Sequence, residues 1–222
     1  MGTDAPPPSP TRAEQASTPL REALKALARG LALLAVLPLL LSYALRSLVL
    51  GRDRALEGST QALALIPGLP GQYLRRAFLS RTLAYCGPDA TIEFGTLFSK
   101  AGARIEDRAY VGPRCQLGLV HIGADALLAA GVHVPSGAHI HGTERLDVPI
   151  RNQPGRAEVV RIGAGAWIGS AAVVMADVGR DTIVGAGAVV TRPLPDRVIA
   201  GGVPARVIRE RRAHDAPSPE HA

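Results

Sequence analysis

The stretch "SGAHIHG", residues 136–142, sets His139 and His141 two positions apart in a chain otherwise built of Ala, Val, Gly, Leu and Ile. Imidazole titrates near neutral pH, so it serves as a general base, a metal ligand or simply a polar group on a turn. With His133 close by, three imidazoles are on hand and a zinc reading stays open. His121 and His133 read more simply as structural. Nucleophilic catalysis through a thiol is disfavoured, because Cys115 falls at a position that calls for a small residue. Cys86 and Cys115 form no CxxC pair and no disulfide framework, which fits a reducing compartment.

What positions the histidines is a repeat. Aliphatic residues recur every six positions at Ile105, Val111 and Leu117, and after one five-residue step at Ile122, Leu128, Val134 and Ile140. The series resumes at Ile162, Ile168 and Val174, and again at Val178, Val184 and Val190. Four positions after most anchors stands a small residue, among them Ala109, Cys115, Ala126, Ala138, Ala166, Ala172 and Ala188, and glycine often follows the anchor directly. This period is neither the 3.6 of a helix nor the 2 of an ordinary strand. It predicts a β-solenoid in which each hexad forms one short side, with its anchor inward and its small residue at the corner.

The gap between the two series, residues 141–160, predicts a loop leaving the solenoid. His139, five residues after Val134, falls at a corner, and His141 follows anchor Ile140 at the mouth of the loop. His139 is preferred by register, with His141 close behind, and Glu144 or Asp147 would orient whichever acts. Trp167 reads as a packing residue on a solenoid face.

The rest of the chain is different in character. Residues 1–20 are rich in Pro, Ser, Thr and Ala and predict a disordered tail; residues 213–222 predict another. Residues 21–54 contain "GLALLAVLPLLLSYAL", sixteen residues without a charge and interrupted by Pro38. A straight bilayer span takes about 20 apolar residues. The segment predicts a membrane-associated helix that spans, re-enters or lies on the surface, against a signal peptide or a buried core helix. Basic residues on both sides give no orientation. Residues 55–87 predict an amphipathic connector whose Arg75, Arg76 and Arg81 lie near anionic headgroups. The domain proper is expected over 88–212. Composition agrees: 47% apolar residues but only 4% aromatic, with 24 glycines, points to thin repetitive packing. A net charge of +6 invites nucleic acid, but the basic residues cluster around the apolar segment and near the C-terminus without aromatic interleaving, so none is expected.

With the hexads in place, "WIG", "VGAGAVVT" and "AGGVPARVI", in that order within 160–212, resemble the hexapeptide-repeat acyltransferases, including the maltose, galactoside, serine and xenobiotic acetyltransferases. The apolar segment followed by "CGPDATIEFGTLFS" is similar to a membrane-associated polysaccharide branch. The resemblance implies a mainly β fold, a left-handed parallel β-helix behind an N-terminal apolar helix, assembled as a homotrimer with acetyl-CoA in the groove between subunits. It implies O-acetylation of a saccharide or lipid-linked saccharide, at the cytoplasmic face of the inner membrane, with His139 or His141 as base. N-acetylation of an amino sugar or xenobiotic and a non-catalytic scaffold are the alternatives. Ser170, Ala186, Thr191, Arg192 and Arg209 are the implied acetyl-CoA contacts, with the two arginines meeting phosphate; no metal is expected, since the histidine spacing does not match the zinc enzymes built on this helix. One departure is a spacing two residues shorter between Trp167 and Gly185, seen as the four-residue step from Val174 to Val178.

Overall fold

The computed structural model describes residues 19–211. The tail expected over 213–222, and residues 1–18 of the tail expected over 1–20, lie outside the described residues. The chain opens with three helices, α1 (Pro19–Leu50), α2 (Arg52–Ala64) and α3 (Gly68–Thr82). α1 therefore begins inside the expected tail and stops short of residue 54, where Gly51 at φ 80 turns the chain into α2.

α1 packs Ala32, Val36 and Tyr43 against the other two helices, with Tyr43 meeting the edge of Phe78 at 5.8 Å between ring centres. The opposite side carries Leu24, Leu27, Leu31, Leu34, Leu41 and Leu45, at steps of three, four, three, seven and four, each more than half exposed. Among the described residues α1 is the one helix long and apolar enough to cross a membrane, by length and composition. Both ends of its charge-free run are tied to the body: Arg29 Nη2 meets Asp89 Oδ1 at 2.6 Å, and Arg46 Nη2 donates to Ser59 Oγ at 2.7 Å.

The solenoid follows in six coils. They are β1 (Tyr85–Cys86), β2 (Thr91–Ile92) and β3 (Leu97–Phe98); β4 (Arg104–Ile105), β5 (Tyr110–Val111) and β6 (Gln116–Leu117); β7 (Val120–Ile122), β8 (Leu127–Leu128) and β9 (His133–Val134); β10 (Val160–Ile162), β11 (Trp167–Ile168) and β12 (Val173–Val174); a bridge at Val178, β13 (Ile183–Val184) and β14 (Val189–Val190); and a bridge at Leu194 with β15 (Val198–Gly201). Each coil gives one strand or bridge to each of three parallel sheets, except that the sixth has no strand in the third. We call the sheets A, B and C, for those containing β1, β2 and β3. A last strand, β16 (Arg206–Glu210), folds back antiparallel on β15. The fold class read from the hexads is observed: a parallel β-helix behind an apolar helix.

The anchors fill the axis. Ile105, Val111, Leu117, Ile122, Leu128, Val134, Ile162, Ile168, Val174, Val178, Val184 and Val190 are all buried, and so are Ala109, Cys115, Ala126, Ala166, Ala172 and Ala188 at the small positions. Ile140 and Ala138 are corrections. Both are exposed, because the coil is already complete at Val134 and residues from Pro135 onward turn out into the loop. The four-residue step from Val174 to Val178 is no local anomaly. It recurs from Val190 to Leu194, so the fourth and fifth coils each advance sixteen residues, as from Ile168 to Val184 and on to Ala200.

A second regularity lies three positions after the anchors. Arg108, Arg114, Asp125, Ala171, Asp181 and Arg197 take φ between 54 and 59, and Gly95, Gly131, Gly165 and Gly187 occupy the same place in other corners. Each of these corners is thus turned by one left-handed residue, whereas the corners after Phe98, Leu117, Val174 and Val190 in sheet C have none. Immediately after the anchor the constraint is space: a Cβ on Gly169 would lie 2.4 Å from Ala186 N of the next coil.

The three helices close the first coil, α2 against β3 and α3 against β1 and β2. Arg75, expected near headgroups, is instead 2% exposed and sealed beneath α3. Its Nη1 donates to Leu63 O and Ile66 O at the end of α2 at 3.1 and 2.7 Å, and its Nε to Ile92 O at 2.9 Å. Carbonyls at a helix C-terminus lack intrahelical partners, and a guanidinium satisfies several at once. Burial pushes the Arg75 pKa below its usual value, offset in part by Glu93.

Candidate active site

Between β9 and β10 the chain leaves the solenoid and returns, so Leu128 and its sheet partner Ile168 are 40 residues apart in sequence. The two legs of the excursion are paired: Glu158 N donates to Ser136 O at 2.8 Å and Arg156 N to His139 O at 2.7 Å. Farther out, the buried Gln153 gathers the tip, donating to Arg145 O and Val148 O at 2.6 and 2.8 Å. His139 therefore sits in a pinned stem at the corner between sheets C and A.

Its cavity of about 540 Å³ is lined by Glu158, Arg161, Asp177 and Thr191 as well. Arg161 N donates to Asp177 Oδ1 at 2.7 Å, which anchors that carboxylate to the coil below. His139 and Thr191 thus share one space, although 52 residues separate them in sequence. His141 does not share it. It lines a second cavity of about 400 Å³ with Asp53, Arg54 and Glu57 of α2 and with Lys100. His133, outward on sheet C, lines a third with Glu57 and Ile140. Neither the His139 ring nor the His141 ring has a hydrogen-bond partner among the described residues.

The acids expected beside the imidazole are placed differently. Asp147 is held by Arg145, with Arg145 Nε donating to its Oδ1 at 3.1 Å, and this pairing lowers its pKa. Glu144 is exposed and lines none of the three cavities. Glu158, paired with Arg156, and Asp177, 3.8 Å from Arg161 Nη1, are the carboxylates that line the His139 cavity, and the sequence reading missed both. For Asp177 a signal existed: it directly precedes an anchor, and Asp196, two residues before Val198, accepts Arg180 N at 2.7 Å in the same way one coil on.

The remaining candidates are spread over the solenoid. Ser170 and Ala186 are exposed at the corner between sheets B and C on adjacent coils, with Gly187 N donating to Ser170 O at 2.8 Å. Thr191 and Arg192 are exposed at the corner between C and A. Arg209 stands on β16, opposite Ile199 in sheet B. Within one chain these groups form no single pocket. Trp167 is 49% exposed on sheet B, between Leu127 and Ile183 of neighbouring coils, so it faces outward.

The pattern suits acyl transfer better than its rivals. Among the described residues no three His, Cys, Asp or Glu side chains are grouped to hold a metal. Both thiols are buried, and burial pushes Cys115 up to about 11 and Cys86 up to about 12, so neither is a thiolate at neutral pH. His121 is engaged by Glu106 at 2.9 Å.

Comparison with known proteins agrees. Residues 102–135 and 159–192 match a family model described as the hexapeptide repeat of succinyl-transferase. The galactoside O-acetyltransferase of Escherichia coli K12 is 37% identical over 94 residues, which are 41% of this chain and 44% of that protein. WbbJ, a putative lipopolysaccharide biosynthesis O-acetyl transferase of the same organism, is 27% identical over 125 residues, 52% of this chain and 61% of that protein. The chain thus spans about half the length of these curated relatives. A galactoside acetyltransferase solved with coenzyme A superposes with a TM-score of 0.55 at 24% identity, covering 72% of this chain and 81% of that one, and shows the shared fold.

Proposed function

We propose that this hexapeptide-repeat chain is an acetyl-CoA-dependent O-acetyltransferase acting on a sugar hydroxyl in exopolysaccharide or lipopolysaccharide assembly. The observation that carries the reading is the stem of the loop, which holds His139 in one cavity with Thr191, Glu158 and Asp177. The names of the relatives, galactoside and lipopolysaccharide O-acetyl transferases, supply the substrate class.

In this reading the His139 imidazole takes the proton of the acceptor hydroxyl as its oxygen attacks the thioester carbonyl. The tetrahedral oxyanion collapses, and the thiol leaves with the proton that His139 returns. A neighbouring carboxylate, Glu158 or Asp177, would stabilise the transient imidazolium. Ser170 and Ala186, small and exposed on adjacent coils, suit an extended pantetheine, and Arg192 and Arg209 suit phosphate. Because Ser170, Ala186 and Arg209 lie away from the corner that holds His139, Thr191 and Arg192, the complete site in this reading needs a second copy. The outward row of sheet B, Tyr110, Leu127, Trp167, Ile183 and Ile199, is an apolar strip suited to that contact, and a homotrimer closes it.

The membrane part follows from α1. The two ends of its charge-free run are tethered to the same body by Arg29 and Arg46, so the leucine side of that run lies along one surface. This favours a helix in the plane of the interface over one that crosses the bilayer, at the cytoplasmic face where acetyl-CoA is made available.

The test is calorimetric titration with acetyl-CoA together with acetyl transfer to a sugar panel. Micromolar binding is expected in wild type, His139→Ala and His141→Ala alike, with turnover falling on the order of 10²- to 10⁴-fold in His139→Ala alone. Absence of binding in the wild type would sink the assignment, and loss in His141→Ala alone would move the base to the second cavity.

A further inference from the structure

Where α1 crosses α3, the structure forms a basic pocket that acetyl transfer does not use. Its volume is about 310 Å³, and Arg29, Arg76 and Arg81 line it with Tyr73, Ser80 and Cys86. The charge there is poorly compensated. Asp89 takes one Arg29 nitrogen at 2.6 Å, but Arg29 Nε is buried with no hydrogen-bond partner. Arg76 lies 4.9 Å over the Tyr73 ring and makes one long contact, 3.3 Å, to Ala90 O. Arg81 has no ion pair among the described residues and is exposed. Cys86 stays a neutral thiol, its pKa pushed up to about 12 by burial, so it adds no negative charge. One wall is apolar, from Leu33 and Ala77. Tyr73 also lines a groove of about 400 Å³ whose other walls, among them Leu31, Ala35, Leu69 and Leu74, are apolar.

Three guanidiniums lining one pocket, only one of them paired with a carboxylate among the described residues, beside a helix that exposes leucines, suit a group with anionic oxygens on an apolar chain. We propose that this pocket binds the phosphate headgroup of an anionic membrane phospholipid, with its acyl chains against the exposed side of α1. The site deepens the membrane reading above and rests on it. It sets the first coil, through Pro88 and Asp89, against the headgroup layer.

The experiment uses the full chain in a non-ionic detergent. Its melting temperature is followed on titration with dihexanoylphosphatidylglycerol, with dihexanoylphosphatidylcholine and with inorganic phosphate, for wild type and for Arg76→Gln/Arg81→Gln. Wild type is expected to be stabilised by the glycerol lipid and scarcely by the other two. In the double variant the apparent affinity for that lipid should fall on the order of thirtyfold, from about 1 kcal/mol per basic side chain. Arg81→Gln alone, which breaks no bond within the described residues, should lose about fivefold and guards against misfolding of the double variant. Equal responses to the two lipids, an unchanged affinity in both variants, or full stabilisation by free phosphate would each overturn the site. Vesicle flotation of the wild type separates the two readings: flotation without headgroup selectivity removes the pocket and leaves α1 on the membrane.

Discussion

Three arginines on α3 illustrate how little residue type says about role. Arg75, Arg76 and Arg81 look alike in the sequence, yet only Arg75 is buried, where it donates to three backbone carbonyls. Its Nη2 finds no partner, so the site is imperfect, but removing the side chain would strand Leu63 O, Ile66 O and Ile92 O in a dry interior. Arg75→Met is therefore expected to cost about 3 kcal/mol. A melting temperature lower by on the order of 10 °C would register it, against no measurable change for Arg81→Gln. The sequence could not separate them, since an amphipathic period of two turns leaves each arginine a plausible surface residue. The imidazoles show the reverse case. Hexad register ran through Ile140, which is no anchor: His139 stands in the stem of the loop that leaves after Val134, and the carboxylates that share its cavity, Glu158 and Asp177, come from the far leg of the loop and a later coil. For Glu158 no spacing along the chain reveals that proximity; for Asp177 its place beside an anchor and the coil advance do.

Among the elements, the hexads were the most legible part, because most inward anchors recur at six, with shorter steps of five or four at coil junctions, and one-sided burial enforces the pattern. The left-handed position three residues after the anchor was not read, since Arg, Asp and Ala occupy it as often as Gly. Two glycines separate the forces at work in a corner. Gly187 has open space around a Cβ but φ 68, whereas Gly169 has ordinary backbone and no room at all. Gly187→Ala should cost about 1 kcal/mol, the price of a left-handed alanine. Gly169→Ala must push Ala186 and its coil away, so a loss of about 2 to 3 kcal/mol is expected. Denaturant unfolding of both variants checks the order; a larger loss at Gly187 would mean that strain, not stacking distance, limits the corner.

At the scale of the molecule, the N-terminal third was the least legible. Hydropathy found the apolar run but not its tethers, because Arg29–Asp89 and Arg46–Ser59 depend on where the first coil and α2 come to rest. Assembly was legible only through resemblance, and the outward strip on sheet B now gives it a testable surface. Trp167→Glu places a charge in the middle of that strip, 49% exposed in the isolated chain. If the proposed trimer and its shared site hold, sedimentation should show monomers of the variant against trimers of the wild type, with acetyl-CoA affinity lost in parallel. Trimers that persist in the variant would move the contact to another face.

The two ends of the coil stack carry one more consequence. A column of parallel strands ends in unpaired amides and carbonyls, which invite the column of another molecule to continue it. Here the helices occupy one end. At the other, β16 lies across β15, while Val189 N donates to Gly202 O at 3.0 Å and Ala205 N to Val189 O at 2.8 Å. The new rim this creates bears Arg206, Arg209, Glu210 and Arg211, a charged border that resists a further strand. The chain is thereby a segment of fixed length, built from a motif that could grow into a filament and terminated so that it does not.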